Sequence, residues 1–72
     1  MQATSKDLIK YALFLGWYEV SQEGSHKQFK HGELKRKATI PHPKKSIPPK
    51  TMQNILKQLG KTKEEFEKWK NG

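Results

Sequence analysis

Seventy-two residues leave room for one compact domain with a thin core and exclude a second domain given over to a cofactor or a lid. Hydrophobic residues make up only 32% of the chain, yet two Trp, two Tyr and three Phe among spaced aliphatics match folded domains rather than disordered segments. The net charge is +8, no apolar run approaches the roughly 18 residues of a membrane span, and no cysteine is present for a disulfide, a nucleophile or a metal site. A cytoplasmic protein without a membrane partner is expected, with any catalysis falling to histidine.

Thr4 and Asp7 have capping-box spacing ahead of Leu8, Ile9, Ala12, Leu13 and Leu15, which predicts a first helix ending at Gly16, a suitable left-handed residue after its last turn. Trp17-Tyr18-Glu19-Val20 changes to β-favouring composition with a period of two, the first strand. Gln22 to Ser25 read as a turn and His26 to Lys30 as a second strand. Its alternation puts Phe29 on one face and His26, Gln28 and Lys30 on the other, so that a core-facing Phe29 turns His26 to the open face or rim. His31-Gly32 signals a tight turn, and Arg36 to Ile40 a third strand with Ala38 and Ile40 inward.

Pro41, Pro43, Pro48 and Pro49 mark an irregular connection, since each lacks a backbone donor and biases its predecessor toward extended geometry. Met52, Ile55, Leu56 and Leu59 recur at helical spacing, with Pro49 or Lys50 in the first turn and Gly60 at the end. Thr62 and Glu65 repeat the capping-box spacing before Phe66 and Trp69, a short amphipathic tail helix. The predicted class is α+β, helices on one face of a small antiparallel sheet, in the α-β-β-β-α order of double-stranded-RNA-binding domains plus a short C-terminal helix. Residues 1–60 form the domain proper and 61–72 a helical extension of it.

The charge is concentrated: residues 24–50 carry eight cations against Glu33 alone, +7 of the whole excess. Neutralising a polyanion's phosphates releases counterions and gives sequence-independent affinity, so a basic segment of this kind fits a nucleic-acid partner, although a solvated, solubilising surface has the same composition.

Four ordered blocks decide between these. Gly16-Trp17-Tyr18-Glu19-Val20, Gly24-Ser25-His26-Lys27-Gln28-Phe29-Lys30-His31, Ala38-Thr39-Ile40-Pro41 and Thr51-Met52-Gln53-Asn54-Ile55-Leu56-Lys57-Gln58-Leu59-Gly60 together resemble HicA-type toxins over roughly residues 4–60. The resemblance implies the mRNA-cleaving half of a toxin-antitoxin pair, with a required histidine at His26. It also implies a HicB-type antitoxin that covers the active site, and through which the complex reaches operator DNA only indirectly. The sequence departs from the family at Pro41-His42-Pro43, at Lys50, where many relatives have glycine, and in the Phe66 to Trp69 extension, positions that bear on RNA preference and antitoxin contact.

The residue types suit that chemistry in their own right. RNA carries its nucleophile in the 2′-hydroxyl, and an imidazole titrating near neutrality can take or give the proton, typically a 10²- to 10⁴-fold contribution. Lys27 or Lys30 would stabilise the phosphorane, Lys30 sharing the face of His26 and Gln28, while Ser25 and the Gly24 amide would hydrogen-bond a phosphate. Lys44, Lys45 and Lys50 would track phosphates beside the second helix N-terminus, or form a solvated loop. No metal-ligand spacing occurs, so activity without metal or cofactor is expected. Beside the nuclease stands a non-catalytic RNA-binding module in which His26 is incidental, and a weaker DNA-regulator reading that rests on Gln53, Asn54, Lys57 and Gln58 alone. His31 and His42 read as turn and loop residues, and Phe66 and Trp69 as packed against the body.

Overall fold

The computed structural model describes residues 3–43 and 46–72; Lys44 and Lys45, expected to track phosphates, lie outside the described residues. Helix α1 spans Ser5–Phe14, strands β1, β2 and β3 span Trp17–Glu23, His26–His31 and Lys37–Pro41, and helices α2 and α3 span Pro49–Gln58 and Lys63–Asn71. This is the expected α+β order, α-β-β-β-α with a further C-terminal helix. The strands pair antiparallel in the order β1-β2-β3.

The helix ends follow from local chemistry. The Thr4 side chain accepts from the Asp7 amide and Asp7 accepts from the Thr4 amide, and Thr62 and Glu65 do the same for α3, each pair satisfying two otherwise orphaned donors. Pro49 opens α2 at its first position, where a missing N–H costs nothing. Gly16, at φ +96°, takes the chain from α1 straight into β1 through backbone that side chains with a Cβ rarely adopt.

The strand limits differ from the sequence reading at three places. β1 runs on to Glu23, leaving a two-residue turn of Gly24 and Ser25; Gly24 is at φ +61° and Ser25 has negative φ, the signs of a type II′ hairpin. His31 belongs to β2, and the expected tight turn is instead the irregular connection 32–36. β3 correspondingly starts at Lys37 and ends on Pro41, at an edge where the absent amide proton breaks no ladder.

Pairing begins with Glu23 opposite His26, Gln22 opposite Lys27 and Ser21 opposite Gln28, then skips Val20 and resumes with Glu19 opposite Phe29, Tyr18 opposite Lys30 and Trp17 opposite His31. Val20 is thus the extra residue of a β-bulge and is 44% exposed. The skip turns Trp17 inward and Tyr18 outward, so Trp17 is 2% exposed and Tyr18 50%. Both helices α1 and α2 lie against the face carrying Phe29, Ala38 and Ile40, all fully buried with Leu8, Ala12, Met52 and Leu56. The outer edge of β3 is closed by Gln58 of α2, whose side-chain carbonyl accepts from the Thr39 amide at 2.9 Å.

α3 completes this core. Phe66 is fully buried, and its ring meets Tyr11 edge-on at 5.1 Å, with Trp69 against the same Tyr11 at 4.9 Å. Near the end of the helix Lys70 reaches Asp7 at 3.1 Å. Burial raises the Asp7 carboxyl pKa, but the hydrogen bonds from Lys70 and from the Thr4 amide and hydroxyl, with the Lys70 charge, outweigh it and hold the group below its ordinary value. A carboxyl depressed by folding contributes stability above its unfolded pKa, and that contribution is lost as pH falls through the folded value. Lys70→Gln is therefore expected to raise the Asp7 pKa and to start acid unfolding at a higher pH. The cost at neutral pH stays below about 1 kcal/mol for so exposed a pair. Carboxyl NMR titration and unfolding curves across pH 2 to 7 check both points.

Candidate active site

His26 is the first residue of β2 and is exposed, paired on one side with Glu23 and on the other with Pro41. The hairpin before it is held in two ways: the Gln22 side-chain amide donates to the Gly24 carbonyl at 3.0 Å, and the His42 amide donates to the Ser25 carbonyl at 2.7 Å. The second bond carries β3 one step beyond Pro41 and fixes the turn against the start of the connection to α2. Among the described residues nothing lies within 4 Å of where a Gly24 side chain would begin, which leaves that side of the turn open to an approaching ligand.

His26 and Ser25 line a groove of about 380 Å³ with Pro41, Ile47, Pro48 and Thr51. Its far wall is the start of α2. Pro48 supplies no capping side chain and Pro49 no amide, so the amides of Lys50 and Thr51 are the first-turn donors without a partner among the described residues. Together with the positive end of the helix dipole they favour an anion there. The exposed Lys50 precedes Thr51 in the same turn. Sequence patterns do not single out Ile47, Pro48 or Thr51 as site residues. Ile47 is placed by a bridge to Ala3, over forty residues away, and no local pattern announces such a pairing.

The two lysines considered as partners of His26 go elsewhere. Lys27 lies on the core side of β2 with its ammonium 3.0 Å from both carboxylate oxygens of Glu19, a forked ion pair that neutralises it. Lys30 is exposed on the same face as His26 and Gln28, but four residues on, about 13 Å along the strand. Gln28 sits between them, half-buried and opposite Thr39. Among the described residues expected to bind phosphate, Lys50 adjoins Thr51, which lines the groove with His26.

The other two histidines have different surroundings. The Glu33 amide donates to His31 Nδ1 at 3.0 Å, so Nε2 carries the proton and donates to the Leu15 carbonyl at 3.1 Å. The ring also meets Trp17 edge-on at 5.4 Å. His31 thus ties the end of α1 to the connection after β2, a structural role that its place beside Gly32 in the sequence does not reveal. His42 is half-buried, and its Nδ1 finds no hydrogen-bond partner among the described residues. Among those residues no three His, Asp or Glu side chains gather where they could hold a metal ion.

The sequence profile of the HicA toxin of bacterial toxin-antitoxin systems matches residues 5–61. The chain belongs to the HicA toxin family. The match runs from the first residue of α1 to just past α2, taking in the hairpin, the sheet and the groove wall, and leaves α3 outside it. No curated protein sequence matches the chain. Membership in HicA makes this chain the toxin of a toxin-antitoxin system and implies an antitoxin partner. No helix among the described residues is long and apolar enough to cross a membrane.

In this HicA chain His31 and Gly16 depend on each other, since a Cβ at Gly16 would come within 3.0 Å of His31 Nε2. His31→Ala removes two hydrogen bonds, about 1–3 kcal/mol together, and lowers the melting temperature by roughly 5–20 °C. Gly16→Ala costs a similar amount through its positive φ and the displaced imidazole. Thermal unfolding followed by circular dichroism measures both.

Proposed function

We propose that this toxin is a metal-independent endoribonuclease that cleaves mRNA, with His26 as its general acid-base residue, and that its antitoxin neutralises it by covering that residue. The observation that carries the reading is the position of His26, exposed at the head of β2 in a groove whose opposite wall is the uncapped start of α2. A phosphate held by the Lys50 and Thr51 amides would stand across the groove from the imidazole. His26 would take the proton of the neighbouring 2′-hydroxyl as it attacks that phosphorus, or return one to the departing 5′-oxygen. Lys50 and the helix dipole would offset the charge building on the phosphorane, a part for which sequence alone offers Lys27 or Lys30. Ser25 and the Gly24 amide lie beside the same phosphate path on the open turn.

This arrangement keeps the reactive imidazole on rigid elements. Strand pairing on both sides and the His42–Ser25 bond hold the backbone of His26, so the groove needs no lid or second domain. In a basic protein of this size, substrate is retained by charge rather than by enclosure.

Induction of the wild-type chain in cells is expected to arrest growth with breakdown of mRNA, and His26→Ala to abolish both while keeping its melting temperature. Equal toxicity of the two proteins would leave His26 incidental and favour a non-catalytic RNA-binding module. In vitro, cleavage of a model transcript should persist in excess chelator; its loss there would assign the chemistry to a metal.

A further inference from the structure

A second cationic surface lies at the far end of β2 from His26. Lys30, Lys35, Arg36 and Lys37 line a concavity of about 400 Å³ with His31, Gly32 and Leu34. None of the four cations makes an ion pair among the described residues, and Glu33 is the only acid in the connection 32–36. Like charges gathered in a concave surface raise one another's free energy, a cost relieved by a polyanion.

The sheet arranges these groups in rows. On the face away from the helices Tyr18, Lys30 and Lys37 stand side by side across β1, β2 and β3. Next comes the row of Ser21, Gln28 and Thr39, and then Glu23, His26 and Pro41. The bulge at Val20 produces the first row. Continued without it, the pairing that starts at Glu23 and His26 would set Glu19 opposite Lys30 on this face. The skipped residue moves Glu19 to the core side, where Lys27 takes its carboxylate, and leaves Lys30 beside a half-exposed aromatic ring. An aromatic face next to two unpaired cations offers a base something to stack on and its backbone something to bind, and it suits any base sequence.

We infer that the open face of the sheet is a track for single-stranded RNA, with Tyr18, Lys30, Lys35 and Lys37 forming a remote subsite that holds nucleotides away from the bond placed at His26. This rests on the nuclease reading and adds a substrate requirement to it. The two ends are about 13 Å apart, some four nucleotides at the roughly 3.4 Å rise of one duplex strand and fewer when the strand is stretched. The middle row is uncharged and polar, so a strand crosses it without a salt bridge that would fix its register. Arg36 is set apart from the track: its guanidinium lies so close to Gly60 that a Cβ there would stand 2.8 Å away, which makes it a wall packed on the end of α2.

The test is binding of a fluorescent 12-nucleotide 2′-O-methyl RNA to the full chain, followed by anisotropy at several salt concentrations. The probe has no 2′-hydroxyl to attack, so affinity is read whether or not the chain cleaves, and failure of the His26 reading shows separately in the cleavage assay. Lys30→Gln/Lys35→Gln/Lys37→Gln is expected to weaken binding about tenfold or more. It should also flatten the log-log salt dependence by about 2, since each single-strand phosphate neutralised by a cation contributes roughly 0.7 to that slope. Tyr18→Ser should weaken binding roughly 5- to 100-fold with the salt slope unchanged, and Tyr18→Phe should restore it. All three variants change exposed side chains, and unaltered melting temperatures establish that they fold. Wild-type affinity and slope in the triple variant would overturn the track, and so would a wild-type chain that does not bind the probe.

Discussion

The constraint on which most of the surface depends is the single unpaired residue at Val20. A strand shows alternate residues to its two faces, so one inserted residue reverses every assignment on the far side of it. Trp17 becomes part of the core and packs on His31, Tyr18 faces outward, and Glu19 passes beneath the sheet to meet Lys27. Were the hairpin regular, Trp17 would stand on the outer face and the core would lose its largest side chain in β1. The insertion is tolerated because Val20 lies on an edge strand, where the unpaired backbone meets solvent rather than a fourth strand.

Small size explains why α3 is tied down so thoroughly. A chain of 72 residues buries a modest share of its surface, and two helices on a three-stranded sheet leave the outer side of α1 uncovered. Phe66 and Trp69 close that side against Tyr11, while Lys70 returns to the carboxylate that already caps α1. Asp7 therefore serves two helices at once, satisfying the first turn of one and anchoring the last turn of the other. Phe14, at 67% exposed, marks where the cover ends.

Features set by neighbours in the chain were legible in the sequence. Both capping boxes, the glycine after α1, the proline opening α2 and the inward set of Phe29, Ala38 and Ile40 depend on spacings of two to four residues, and each occurs where the residues place it. The outward direction of His26 comes from the same alternation. Features set by partners distant in the chain were not legible. The bulge has no signature in Glu19-Val20-Ser21, so the Glu19–Lys27 pair could not be seen, and Lys27 stayed a second candidate beside Lys30, which alternation favours, until the register was known. The tie from His31 to Leu15 and the wall that Ile47 adds beside His26 are long-range in the same sense. His31 followed by glycine has the composition of a tight turn, and its bonds to Leu15 and Glu33 hold it in the strand instead.

Charge concentrated in sequence is divided in space. The basic third of the chain forms β2, β3 and their connections, and folding separates its described lysines into three environments. Lys27 is neutralised on the core side; Lys30, Lys35 and Lys37 gather at one end of the open face; Lys50 stands at the other with the first-turn amides of α2. A compact anion would satisfy one end and leave the other repelling itself, whereas a flexible polyanion laid along β2 satisfies both. The distance between the ends is set by the pleat of one strand, so an RNA strand laid along β2, as inferred above, would be held at two fixed points, which a single phosphate could not span.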